Sequence, residues 1–126
     1  MRFLIADDAM VMRNITKNVL REHGFDDGSF VEAADGETAL NAATNDTIDL
    51  FLVDWNMPKL DGLQFVKRIR ATPRYAQTPI IMITSEAAKY NVMEAIEAGT
   101  TSYVIKPLKA KVLWEKISKF IPGSGA

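Results

Sequence analysis

The 126-residue chain contains no cysteine, which excludes thiol catalysis, Cys-ligated zinc and disulfide bonds. It has no surplus of positive charge, since its formal net charge is −1, and this makes a nucleic acid a poor candidate partner. No apolar stretch approaches the roughly 20 residues of a membrane span. The chain enters an apolar run directly after Met1-Arg2, which leaves no room for a signal peptide. These absences indicate a soluble protein without membrane insertion, and we expect it to be cytoplasmic.

The length of 126 residues is typical of one domain. A domain of this size buries enough surface to fold without disulfides or a structural metal. We predict that residues 1–121 form the domain and that residues 122–126, Pro-Gly-Ser-Gly-Ala, are a flexible tail.

Four short apolar runs each end on a chemically reactive side chain. They are 3–6 before Asp7 and Asp8, 50–53 before Asp54, 80–83 before Thr84, and 103–105 before Lys106. Runs this short, rich in branched residues and separated by helical stretches, are typical of buried strands in a parallel sheet. Because ligands bind at the edge where the carboxyl ends of such strands meet, we expect these side chains to lie close together.

The segments between the strands have helical spacing. Apolar residues at Val11, Ile15 and Val19, with Met12 and Leu20 beside them, predict the buried side of a first helix. Further helices are predicted at 36–45, around 63–69, at 86–98 before Gly99, and from 112 to 121 before Pro122, together with a weaker edge strand at 29–33. Five alternating strands and helices predict an α/β fold with helices on both faces of a parallel sheet.

The only histidine, His23, invites a phosphotransfer interpretation. It lies directly before Gly24 at the predicted end of the first helix. A histidine in the last turn, followed by a glycine in the left-handed conformation, is a common helix ending. We therefore interpret His23 as a helix-end residue.

Three carboxylates in one place repel one another unless a cation lies among them. Oxygen ligands that retain some waters suit Mg²⁺, especially where a phosphate also binds. An alternative is that Asp7 and Asp8 merely cap the helix that begins near Ala9. That alternative leaves Asp54 unexplained, because Trp55-Asn56-Met57-Pro58 rather than a helix follows it.

A carboxylate beside Mg²⁺ and an ammonium can act as a nucleophile and carry a phosphoryl group. Asp54 is the better candidate than Asp7 or Asp8, because it follows a central strand with the other groups around it. Lys106 and the metal would offset the phosphoryl charge, and Thr84 could hydrogen-bond one of its oxygens. A further acid, in Asp61-Gly62, is better explained as a turn and helix N-cap.

The order of these residues resembles the receiver domains of two-component response regulators. The matching motifs are Asp7-Asp8, Asp54 with Met57-Pro58, Asp61-Gly62, Thr84, and Lys106-Pro107, and they span nearly the entire chain. Within that family, the segment from Asp54 to Leu63, with Asn56 and Glu86, looks most like the CheY-like, stand-alone chemotaxis regulators.

The resemblance implies a flavodoxin-like (βα)5 fold, a three-layer sandwich around a doubly wound parallel sheet with strand order 2-1-3-4-5. It implies that Asp54 is the phosphoacceptor. It also implies that Mg²⁺ is bound by Asp8, Asp54 and the main-chain carbonyl of Asn56, with Asp7 helping through water.

The same resemblance assigns roles around the phosphoryl group. Lys106 would contact that group, with a cis bond to Pro107, and Thr84 would move toward it. Tyr103 would then rotate into the vacated space as the second half of the switch, although from the residues alone it could be an ordinary strand aromatic. Asn56 and Glu86 would tune how fast water removes the phosphate. A partner face would include Lys89, Tyr90, Val92, Tyr103, Lys109 and Lys116.

The implied function is a phosphorylation-activated regulator, not an enzyme beyond its own phosphorylation and dephosphorylation. A histidine kinase would be the donor, a flagellar motor switch protein or another protein the target, and a phosphatase could act on the chain, which we expect to be a monomer. Alternatives are a phosphorelay shuttle and the excised receiver of a larger regulator.

Two enzyme or ligand-binding classes fit less well. An aspartate-nucleophile phosphatase resembles a pattern with a second acid two residues after the nucleophile, where this chain has Asn56, which cannot transfer protons. A flavin- or nucleotide-binding protein needs a phosphate-cradling loop. The first turn, Asp7-Asp8-Ala9-Met10, is acidic and lacks glycine.

Overall fold

Strands and helices alternate along the chain in the computed structural model, which describes residues 1–86 and 89–123. The strands are β1 (Phe3–Ala6), β2 (Phe30–Ala33), β3 (Leu50–Val53), β4 (Ile80–Thr84) and β5 (Ser102–Ile105). The helices are α1 (Met10–Glu22), α2 (Gly36–Asn45), α3 (Gly62–Arg70), α4 (Lys89–Ala98) and α5 (Ala110–Ser118), and two short 3₁₀ helices cover Asp27–Ser29 and Pro73–Tyr75. Of the predicted tail, residues 124–126 lie outside the described part.

All neighbouring strands are parallel, in the order β2-β1-β3-β4-β5. Every residue of β1, β3 and β4 is buried, whereas β2 and β5 are partly exposed edge strands. This burial is why the three central strands are continuous apolar runs. The sheet order and the placement of the weaker strand at an edge confirm the predicted flavodoxin-like topology.

Alternate residues of the central strands enter two separate cores. On one face Phe3 and Ile5 pack with Val19 and Leu20 of α1 and with Leu113 and Ile117 of α5. On the other face Leu4 and Ala6 pack with Ala39 of α2, Phe65 of α3 and Ala95 of α4. The sheet is therefore the middle layer of a three-layer sandwich.

The buried side of α1 agrees with the prediction in part. Val11 is 68% exposed and Ile15 is 36% exposed. The predicted Val19 and Leu20 are buried, at 3% and 0% exposed, and Thr16, which the prediction did not include, is also only 3% exposed. The apolar pattern missed Thr16 because threonine is not an apolar residue.

The helix ends follow the predicted signals in part. Gly24 after α1 and Gly99 after α4 both have positive φ, +95° and +119°, a conformation that glycine adopts without steric cost. The predicted start of α4 at residue 86 falls on a segment whose residues 87 and 88 lie outside the described part. Helix α5 ends at Ser118, before the predicted end at residue 121. Among the described residues, every helix is too short or too polar to cross a lipid bilayer.

Candidate functional site

Backbone hydrogen bonds continue the sheet one residue past its strands and place reactive side chains at one edge. The N–H of Asp54 donates to the carbonyl of Ala6 at 2.9 Å, and the N–H of Lys106 donates to the carbonyl of Thr84 at 2.9 Å. Asp7 is held in the same way by a carbonyl of β2, at 3.0 Å. These hydrogen bonds fix the backbone of Asp7, Asp54 and Lys106, the residues that directly follow β1, β3 and β5.

Lys106 joins two of the acids. Its Nζ lies 2.9 Å from Asp7 Oδ2 and 2.9 Å from Asp54 Oδ2. Both aspartates are 6% exposed, so these ion pairs are largely shielded from water. The peptide bond between Lys106 and Pro107 is cis, as the family resemblance implied.

The pKa of Asp7 and the pKa of Lys106 are both raised, which disfavours the charged form of the aspartate and favours the charged form of the lysine. Burial raises the pKa of Asp7, and this outweighs the hydrogen bonds from the Ala9 N–H and from Lys106, while the charge of Asp54 adds to the increase. Burial alone would lower the pKa of Lys106, but its hydrogen bonds to Asp54 and Asp7 and their charges raise it on balance. The site therefore favours the charged form of Lys106 and disfavours the charged form of Asp7, chiefly because Asp7 is buried.

Asp8 completes an acidic cluster that can hold a divalent cation. Carboxylate oxygens of Asp7, Asp8 and Asp54 all lie within 4.8 Å of one another. Asp8 is exposed, and no hydrogen bond or ion pair engages it among the described residues. Three oxygen donors with one side open to solvent suit Mg²⁺, which retains several water ligands.

The capping alternative does not explain these acids. The N-cap of α1 is Ala9, and its side chain makes no capping hydrogen bond. Asp7 Oδ1 does accept a hydrogen bond from the Ala9 N–H at 2.9 Å, but its other oxygen binds Lys106. Asp8 makes no capping hydrogen bond with any residue that the structure describes.

The loop after β3 holds Asp54 from its other side. The Asn56 N–H donates to Asp54 Oδ1 at 3.3 Å. The loop returns so close to α3 that a Cβ on Gly62 would lie 2.2 Å from the Asp54 carbonyl oxygen, so only glycine fits there. Asp61 is the N-cap of α3, as predicted, and its Oδ1 accepts from a first-turn N–H at 2.8 Å.

The two predicted switch residues meet at the backbone of Glu86. Thr84 is completely buried, and its Oγ1 accepts a long hydrogen bond of 3.4 Å from the Glu86 N–H. The Tyr103 hydroxyl donates to the Glu86 carbonyl at 2.5 Å. Burial raises the pKa of Tyr103 to about 12, and the negative charges of Glu86 and Asp54 add to the shift. Within the described residues, no hydrogen bond joins the Thr84 hydroxyl to Asp54 or to Lys106.

The Glu86 side chain lies between two amides. Its Oε1 accepts from Asn56 Nδ2 at 3.1 Å, and its Oε2 accepts from Asn91 Nδ2 at 3.2 Å. Sequence reasoning had singled out Asn56 and Glu86 but missed Asn91. The apolar pattern of α4 does not indicate a role for Asn91, because polar residues are common in the first turn of a partly exposed helix.

The predicted partner residues lie on α4, β5 and α5, except Lys109, which is the N-cap of α5. Lys89, Tyr90 and Lys109 are exposed, whereas Val92, Tyr103 and Lys116 are half-buried. The structure adds exposed apolar residues to the same elements, namely Met93, Ile96, Ile105 and Val112. Sequence periodicity could not identify these, since it assigns apolar residues to the core.

His23 lies far from the acidic cluster, at the opposite end of α1. Its ring stacks on Trp114 of α5 with centroids 3.6 Å apart, and its Nδ1 lies 2.9 Å from the Val19 carbonyl. These contacts agree with the interpretation as a helix-end residue.

Comparisons with known proteins agree with this geometry. Residues 3–118 match the family model of the response regulator receiver domain. Chemotaxis protein CheY of Pseudomonas aeruginosa is 43% identical over 94% of both chains. A chemotaxis protein CheY homolog of Campylobacter jejuni is 41% identical over 99% of this chain and 96% of its own.

Solved structures show the same architecture. The chemotaxis response regulator CheY4 of Vibrio cholerae superposes with a TM-score of 0.87 at 30% identity, over 95% of this chain and 98% of its own. The receiver domain of a Pseudomonas aeruginosa sensor histidine kinase gives a TM-score of 0.84 at 27% identity, over 99% and 98%. That structure has a magnesium ion coordinated in its active-site cleft.

Proposed function

The chain belongs to the response regulator receiver domain family, and on this premise we propose that phosphorylation of Asp54 switches its affinity for a partner protein. One observation carries the proposal. The nearly buried Asp54 carboxylate, at the end of a central strand, has the Lys106 ammonium 2.9 Å away and oxygens of Asp7 and Asp8 within 4.8 Å. This is the arrangement that a carboxylate nucleophile for phosphoryl transfer needs.

The transfer step follows from the residues present. An Asp54 oxygen attacks the phosphorus of a phosphohistidine, the P–N bond breaks as the new O–P bond forms, and the departing imidazole takes up a proton. Lys106 offsets the negative charge brought to the site. Bound Mg²⁺, held by Asp7, Asp8, Asp54 and the main-chain carbonyl of Asn56, would supply further neutralisation of the phosphoryl oxygens.

The phosphoryl group adds about 1.5 to 2 negative charges and new acceptor oxygens. We propose that Thr84 turns its hydroxyl toward them, because the hydrogen bond that it would give up, from the Glu86 N–H at 3.4 Å, is long and weak. Tyr103 would then leave the Glu86 carbonyl and rotate into the space that Thr84 vacates. Asn56 and Glu86, beside Asp54, would tune hydrolysis.

We propose that the output face comprises Lys89, Tyr90, Val92, Tyr103, Lys109 and Lys116. The exposed Tyr90, which is 73% accessible, and the exposed Ile105 of β5 support this proposal, since apolar and aromatic side chains are typical anchors of interfaces. The chemotaxis names of the relatives favour a flagellar motor switch protein as the target and a histidine kinase as the donor. We also propose that the receiver domain spans residues 1–121 and that the protein is a cytoplasmic monomer. A phosphatase could remove the phosphoryl group from Asp54.

The test is the affinity for purified flagellar motor switch protein, measured by calorimetry with and without beryllofluoride as a phosphoryl mimic. A complete shift from the inactive to the active state would require beryllofluoride to bind the active state about 10⁴-fold more tightly than the inactive state. A partial shift is enough for the test, and we expect the affinity for the partner to rise at least tenfold (~1.4 kcal/mol). Asp54→Asn should show no gain, whereas Asp61→Asn should behave like the unsubstituted protein. Equal affinities with and without beryllofluoride would rule out the switch.

A phosphorelay shuttle is the second candidate, favoured by the structural likeness to the receiver of a sensor histidine kinase. A shuttle would pass its phosphoryl group to a histidine phosphotransfer protein, so radiolabel moving onto that protein would support it. A phosphatase for external substrates fits less well, because the Asn56 side chain is an amide engaged with Glu86.

A further inference from the structure

We propose that Asn91 is a positioning residue that slows loss of the phosphoryl group by holding Glu86 against Asn56. The inference rests on the proposed phosphorylation of Asp54. It assigns to helix α4, through one side chain, control over the lifetime of the phosphorylated state.

The contacts form a continuous path from α4 to the phosphoacceptor. Asn91 Nδ2 donates to Glu86 Oε2 at 3.2 Å, Asn56 Nδ2 donates to Glu86 Oε1 at 3.1 Å, and the Asn56 N–H donates to Asp54 Oδ1 at 3.3 Å. The path joins three segments, namely the loop after β3, the loop after β4, and the first turn of α4. Asn91 is half-buried, so its amide is partly shielded from competing water.

The path keeps Glu86 from assisting hydrolysis. In that reaction a water oxygen attacks phosphorus, the bond between phosphorus and the Asp54 oxygen breaks, and inorganic phosphate and a proton leave while the carboxylate is restored. A nearby carboxylate with an unengaged oxygen could orient the attacking water and accept its proton. Each Glu86 oxygen accepts one amide hydrogen bond here, and together the two bonds fix the direction of the carboxylate. Loss of the Asn91 amide would leave Oε2 more basic and free to turn toward the attacking water.

Asn91 also lies between Tyr90 and Val92, two residues of the proposed output face. A partner that moves the first turn of α4 would therefore change the Asn91–Glu86 contact. This gives occupation of that face a direct physical route to the hydrolysis step.

The experiment labels the protein with phosphoramidate and Mg²⁺, removes the donor by gel filtration, and follows decay of the phosphoprotein. We expect decay about fivefold faster in Asn91→Ala, a factor in the range of one ordinary hydrogen bond. Asn41→Ala, the same substitution on the exposed side of α2, should decay at the unsubstituted rate. An unchanged or slower decay in Asn91→Ala would overturn the inference.

A double-mutant cycle distinguishes action through Glu86 from a general effect on α4. In a Glu86→Ala background, Asn91→Ala should change the decay rate less than about twofold, roughly the additivity error. An undiminished fivefold effect would overturn the assignment.

A third measurement needs neither phosphoryl group nor metal. In metal-free protein, Asn91→Ala should shift the NMR resonances of the Asn56 side-chain amide, and Asn41→Ala should not; no shift would contradict the path. If the unsubstituted protein accepts no label, the proposed function and this inference both fail. If all variants label and decay alike, only the inference fails.

Discussion

At the amino end of the sheet a carboxylate is paired with a guanidinium and a buried hydroxyl has several hydrogen-bond partners, whereas at the carboxyl end three carboxylates lie together with one ammonium. At the amino end, the Tyr75 hydroxyl lies 2.7 and 2.8 Å from the carbonyls of Ala43 and Asp46 and 3.3 Å from the Ile48 nitrogen. Arg2 Nη2 lies 2.6 Å from Asp46 Oδ2, and this hydrogen bond lowers the pKa of Asp46. The amino end therefore serves stability.

The carboxyl end shows the opposite electrostatics. The pKa of Asp7 is raised, chiefly by burial, and the exposed Asp8 has no partner among the described residues. This excess of negative charge lies where the strands converge, so binding a cation would relieve it. Perturbed carboxylates in such a place are typical of functional sites.

The largest effect is expected at the amino end. Tyr75→Ala removes a side chain that is 2% exposed and packs edge-on against Phe51 with centroids 5.1 Å apart, so the free energy of unfolding should fall by about 3–5 kcal/mol. Tyr75→Phe keeps the ring and should lose only about 1–3 kcal/mol. Urea denaturation measures both losses. If these folded variants bound Mg²⁺ more weakly than the unsubstituted protein, the functional separation of the two ends would be wrong.

Magnesium should stabilise the protein from the carboxyl end. At ten times its Kd, the free energy of unfolding should rise by about 1.4 kcal/mol. Fluorescence of the half-buried Trp55, measured in a Trp114→Phe background, gives the Kd. Asp8→Asn should weaken binding strongly. Asp49→Asn, which removes a negative charge that lies beside the Arg2 N–H at the amino end, should leave the Kd unchanged, and equal effects of the two substitutions would contradict the site.

In metal-free protein, the free energy of unfolding should depend on pH differently for an aspartate at each end of the sheet, although the effect is smaller. The raised pKa of Asp7 means that its ionised form destabilises the fold above that pKa, and that this cost disappears as pH falls. Asp7→Asn should therefore be more stable at pH 7 by about 1 kcal/mol, and the gain should vanish in acid.

Asp46 should show the opposite sign. Its lowered pKa contributes stability above the unfolded value of 3.8, and this contribution is lost as pH falls through the folded pKa. Asp46→Asn should therefore be less stable than the unsubstituted protein at pH 7 and equal to it in strong acid. Denaturation curves from strong acid to pH 7 test both substitutions, and shifts of the same sign would contradict the comparison.

The residues at the carboxyl end of the sheet could be predicted because the sequence marks where each central strand ends. A buried parallel strand is a continuous apolar run, and the first polar residue after it must lie at the edge. That reasoning located Asp7, Asp54, Thr84 and Lys106, and the structure brings three of their side chains into contact while Thr84 remains in the core.

The amino end and the path to α4 could not be predicted in the same way. The roles of Arg2 and Tyr75 depend on residues distant in sequence, such as Asp46 for Arg2. Asn91 contacts the nearby Glu86, but its proposed role depends on Asn56, which contacts Glu86 from another loop. Apolar spacing carries no information about such partners. It also misplaced Val11 and Ile15, whose exposure results from the way α1 packs on the sheet.

The central claim is that Asp54 carries the phosphoryl group, and intact-protein and peptide mass spectrometry after incubation with phosphoramidate tests it directly. With Mg²⁺ we predict one phosphoryl group per chain, located on Asp54, and much less without the metal. Asp61→Asn should be labelled like the unsubstituted protein, and Asp54→Asn should not be labelled. A phosphoryl group that persists in Asp54→Asn, or that is located on His23, would contradict the claim.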